Sequence, residues 1–78
     1  MSIETLQQIA ASGQPWAAQR AEYALAMTAA VNQGELSPSE YQELMRDLVR
    51  MDRLDEEASD IELKTMLVTA VYGVAQLV

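Results

Sequence analysis

Residues 34–41 read GELSPSEY, and the fold turns on this run. With Ser37 as N-cap, Pro38 takes the first helical position, where the N–H it lacks would have no intrahelical partner. Glu40 then stands at the third position. Ser37 and Glu40 can satisfy two orphan backbone N–H groups reciprocally, as a capping box. Leu36 before the cap and Tyr41 after it have the spacing of a hydrophobic staple. Gly34 is a natural stop for a preceding helix. Leu36, Ser37, Pro38, Glu40 and Tyr41 are therefore read as structural residues. They start one helix just after another ends, and predict an αα-hairpin with its corner at residues 32–38.

The same letters match half of a calcium loop. With Gly34 at the sixth position of an EF-hand, Leu36 falls at the eighth, Ser37 at the ninth and Glu40 at the twelfth. The first, third and fifth positions are then Ala29, Val31 and Gln33. Calcium requires roughly six to eight oxygen ligands, and two of these side chains are hydrocarbon. The helix corner accounts for every residue of the run, so neither metal nor cofactor is expected.

Upstream of the corner, Ala17, Ala18, Ala21, Ala24, Ala26, Ala29 and Ala30 fall between Trp16 and Asn32. Alanine is the best helix former and lets a neighbour approach closely. Trp16, Tyr23, Met27 and Val31 supply the larger groups, and Pro15 suits the first turn. Before it, Ile3, Leu6, Ile9 and Ala10 share one face of a short helix with Ser2 as its expected N-cap. The segment SGQP, residues 12–15, stops that helix.

Downstream, Tyr41, Leu44, Met45, Leu48, Met51 and Leu54 recur at steps of three and four and predict an amphipathic helix of some five turns. A last helix is expected to start within LDEEASDIE, with Asp55 as its cap, and to run to the C-terminus through Ile61, Leu63, Leu67, Val71 and Val74. No Gly or Pro marks the break near residues 54–55, and a single bent helix is the alternative. The fold class is all-α: one domain, residues 1–78, a small bundle of three or four helices.

Composition narrows the function. The chain has 78 residues, with neither Cys nor His. That excludes disulfides, thiolate chemistry, Cys-ligated zinc and the commonest general base. There is no glycine-rich phosphate loop and no nucleophile elbow. An enzyme is not expected. Net charge is −7 with pI near 4.2, which disfavours direct binding to nucleic acid or an anionic membrane. MSIETLQQ has neither the basic nor the apolar region of a signal peptide. The fourteen uncharged residues after Lys64 fall short of the roughly 20 a membrane span requires. The chain is expected to be cytoplasmic when made, with no membrane partner.

Two features point to other protein chains. The first is charge: Asp52, Asp55, Glu56, Glu57, Asp60 and Glu62 surround the single base Arg53. They form either a docking patch for a basic partner or a solvated helix entry favoured by the dipole. Arg46, Arg50 and Arg53, at i, i+4 and i+7, would line one side of a continuous helix. They can pair with nearby acids or meet the acidic stretch of a neighbouring copy. Arg46, Arg50, Arg53, Asp55, Glu56, Glu57 and Asp60 are the candidate docking charges. The second feature is MLVTAVYGVAQLV, residues 66–78, which places hydrophobes on nearly every helix face. Such a helix is either the centre of a bundle or shared with a second chain. Met66, Val68, Val71, Tyr72, Leu77 and Val78 are the candidate interface residues.

From Gly34 to about Val74 the chain resembles small helical proteins of tailed bacteriophages. The resemblance rests on the corner G-x-L-S-x-x-E-Y, on RDLVRMD and on the acidic link before ELK. It implies a virion or assembly accessory role, with incorporation into a virion, and no active-site residue. The function expected is that of a non-enzymatic structural or assembly protein acting through helix-face contacts in a homo-oligomer or larger particle. The alternative is an acidic regulatory binder whose 52–62 surface occupies a nucleic-acid-binding site on a host protein.

Overall fold

The structure is a computed structural model and describes residues 2–50 and 60–76. Four helices form, with no strand among the described residues: α1 (Ser2–Ala10), α2 (Pro15–Asn32), α3 (Pro38–Leu48) and α4 (Ile61–Ala75). α1 packs against both α2 and α4, and α2, α3 and α4 pack on one another. The Cα radius of gyration is 11.7 Å. A compact chain of this length should have about 11.5 Å, so the helices close into a bundle rather than an open array.

The corner is built as its letters require. α2 ends in a Schellman motif: the Gly34 N–H donates to the Val31 carbonyl at 3.2 Å, and the Glu35 N–H to the Ala30 carbonyl at 2.9 Å. Gly34 sits at φ +79°, a left-handed conformation that costs other residues about 1–2 kcal/mol. Ser37 follows as N-cap. Its Oγ accepts from the Glu40 N–H at 3.1 Å, and Glu40 Oε1 accepts from the Ser37 N–H at 3.1 Å. Tyr41 is fully buried and Leu36 packs against the same core. The stretch that would begin a calcium loop, Ala29–Asn32, is instead the last turn of α2.

Several expectations are corrected. Ser2 is the first residue of α1 rather than the residue before it. α3 ends at Leu48 with Val49 as C-cap, about three turns rather than five. Met51 and Leu54 lie outside the described residues, as does Asp55. The cap found is Asp60, whose carboxylate accepts from the Leu63 N–H at 3.1 Å. α3 and α4 thus have separate ends, and the single bent helix is not formed.

The core is Leu6 and Ile9 from α1; Ala17, Ala21, Ala24 and Met27 from α2; Tyr41 and Met45 from α3, with Val49 just beyond it; and Leu67, Ala70, Val71, Val74 and Ala75 from α4. The inward side of α2 is largely alanine, so its packing area comes from closeness rather than bulk. Tyr23, expected among the larger packing groups, is half exposed. One buried polar pair completes the core. The Thr28 hydroxyl donates to the Ala24 carbonyl at 2.8 Å, leaving Tyr41 Oη to donate to Thr28 Oγ1 at 2.8 Å. A hydroxyl has one proton to give, and this arrangement uses each proton once.

Two helix C-termini are closed by side chains from other helices. Arg20 of α2 donates from Nε to the Leu48 carbonyl at 3.2 Å and from Nη1 to the Trp16 carbonyl at 3.0 Å. A cation beside the last carbonyls of α3 also opposes the negative end of its dipole. Gln42 Nε2 of α3 donates to the Ala75 carbonyl, at the end of α4, at 2.6 Å. Both bonds span distant parts of the chain and had no local signature.

Candidate functional site

α4 carries the feature that the bundle does not consume. Asp60 starts it and Glu62 lies in its first turn, where negative charge suits the helix dipole. From Thr65 to Gln76 it has no charged residue. Its backbone sorts these apolar residues into two faces. Leu67 and Val71 are fully buried, and Ala70, Val74 and Ala75 nearly so. On the other side Ile61 is 80% exposed, Tyr72 46% and Met66 43%. Val68 is half-buried between the two.

Ile61, Thr65, Val68 and Tyr72 follow one another at steps of four, three and four, the spacing of a coiled-coil seam. Ile61, Lys64, Thr65, Val68 and Thr69 line an open groove of about 260 Å3 along this side. The Thr65 hydroxyl donates to the Ile61 carbonyl at 2.9 Å, so its polar atom is engaged within the helix and its methyl is available to a neighbour. The groove combines the apolar Ile61 and Val68 with two threonines and Lys64, and it can hold an apolar side chain.

The residues expected at a contact divide accordingly. Met66, Val68 and Tyr72 reach the surface, whereas Val71 belongs to the core and is corrected from the interface set. Leu77 and Val78 lie outside the described residues. Ile61 is the most exposed large hydrophobe described: the helix begins at its own position, and the inward side starts at Leu63. The step pattern 61, 65, 68, 72 was the available signal. It was masked by a second apolar series on the opposite side.

Of the candidate docking charges, Arg46, Arg50 and Asp60 are among the described residues, and they do not share one helix. Arg46 is exposed near the end of α3, while Arg50 lies beyond that end, its N–H donating to the Asp47 carbonyl. A stripe at i, i+4 and i+7 requires an unbroken helix, and α3 stops too early. Arg53, Asp55, Glu56 and Glu57 are outside the described residues. The Asp60 carboxylate is engaged as the α4 cap. Among the described residues no group of three or more carboxylates is placed to hold a metal ion, and no helix is long and apolar enough to cross a membrane. No protein-family pattern, curated protein or solved structure matches this chain.

Proposed function

We propose that this chain is a non-enzymatic assembly protein that binds another protein chain through the outer face of α4. One observation supports this above the others. A helix whose inner side already builds the core keeps Ile61, Tyr72 and Met66 largely in water, with no charge after Lys64. Scattered exposed hydrophobes are ordinary, but an exposed helix face with heptad spacing and no charge beyond Lys64 has the form in which helices recognise helices. The likeness to small phage helical proteins agrees with a role in a particle or its assembly. The acidic-binder alternative draws on the 52–62 stretch, of which Asp60, Ile61 and Glu62 lie among the described residues.

Tyr72→Glu and Val68→Glu test the proposal. Either should abolish co-purification with the native partner, since an unpaired charge would be buried in the contact. Tyr72→Glu should keep its helical circular dichroism, because Tyr72 is half in solvent already. Partner binding unchanged in the folded Tyr72→Glu protein would remove α4 as the contact.

A further inference from the structure

We infer that the occupant of the α4 groove is a basic amphipathic helix of another protein, rather than a second copy of this chain. The inference rests on the α4-face reading above and adds the chemistry of the partner. The seam from Ile61 to Tyr72 is about 16 Å long at helical rise, three turns of a partner helix. Multiplied by a helix width of about 10 Å, that is a strip of order 200 Å2. Stable protein pairs bury about 800 Å2 on each side. Apolar contact along this seam therefore has to be reinforced by another attraction.

Charge supplies that attraction for one class of partner only. Each chain carries −7. Two copies brought together repel, and the repulsion grows as their acidic surfaces converge. Toward a cationic helix the same field is attractive and raises the encounter rate. At the N-terminal end of the seam Asp60 and Glu62 flank Ile61, Lys64 lines the groove beside them, and no charge follows from Thr65 to Gln76. The fitting ligand has an apolar stripe at heptad spacing with Lys or Arg beside it.

The experiment uses the full chain and two synthetic three-heptad helices. Both carry Leu on the seam; one has Lys at the flanking positions and the other Glu. Binding is followed by anisotropy of a dye on the peptide, at low and at physiological salt, with self-association of the chain measured by sedimentation. The Lys helix should bind at least about tenfold more tightly than the Glu helix, and more weakly as salt rises. Thr65→Asp and Val68→Asp should weaken it by about tenfold or more, although each makes the chain more acidic. Ala26→Asp, which adds the same charge on exposed α2, should leave binding unchanged or slightly tighter. Thr65 is exposed, so its variant remains informative if Val68→Asp loses helicity. Tighter binding by all three variants would mean that charge alone attracts the peptide, and the inference would fall. Self-association lost in Thr65→Asp would assign the seam to a second copy, sinking this inference while leaving the α4 face in use. If no association of any kind responds to Thr65→Asp, the α4-face reading itself is wrong.

Discussion

The corner at Gly34–Tyr41 and helix α4 are specified in opposite ways. At the corner each residue has one structural use, and most of its bonds close within a few positions of themselves: Gly34 to Val31, Glu35 to Ala30, Ser37 to Glu40 and back. α4 has hydrophobes all round, and nothing local distinguishes Leu67 from Met66. One is fully buried and the other 43% exposed. Local chemistry can position a helix start, but a uniformly apolar helix is divided into core and surface only by its neighbours.

The sharpest test of that contrast sets adjacent residues of α4 against each other. Leu67→Ala should cost about 2–5 kcal/mol, through lost burial and the cavity left behind. Met66→Ala should cost under about 1 kcal/mol, as surface substitutions do. Urea unfolding of the two variants measures the difference. Similar losses would mean that the two faces are not divided as described.

At the corner the expected effects are smaller. Ser37→Ala removes the acceptor for the Glu40 N–H and should cost about 0.5–2 kcal/mol in the same assay. It should leave peptide binding to α4 untouched. An unchanged stability would break the comparison from its other side, since the corner would then not depend on its cap.

The smallest effect is electrostatic. The Ser37 backbone N–H, and then its hydroxyl, hold the Glu40 carboxyl below its usual value of 4.5. Because the folded-state value is lowered, ionised Glu40 stabilises the fold fully above about pH 4.5, and that contribution is lost as pH falls through the folded value. Glu40→Gln keeps a residue able to close the capping box and removes the titration. Its stability near neutral pH should be close to that of the parent, with a shallower decline below pH 4.5. A steep acid limb identical to the parent's would place the sensitivity on other carboxyls.

How far the structure was legible follows from these cases. The GELSPSEY corner and the Pro15 start of α2 were readable because each satisfies backbone groups within one turn. The end of α3 was not. The apolar period continues through Met51 and Leu54, while the helix stops at Leu48, whose carbonyl receives Arg20 from a distant part of the chain. Asp55 and Asp60 both stand before acidic turns, and periodicity alone does not choose between them. Of the candidate interface residues, which were singled out as large and apolar, Met66, Val68 and Tyr72 reach the surface. Val71 was grouped with them although it belongs to the core, and Ile61 was not singled out, because both apolar series of α4 satisfy a helical period.

By itself the sequence determined that the chain would be helical, where the corner falls, and that neither thiol nor imidazole chemistry is available to it. Those properties depend on residue identity and on bonds spanning a few positions. Tertiary structure alone decided which side of α4 enters the core, that Tyr41 reaches Thr28, and that Arg20 and Gln42 close the ends of α3 and α4. Each of these joins residues at least thirteen positions apart. Their pairing is set by how the described helices fill a common interior, a property no single segment carries.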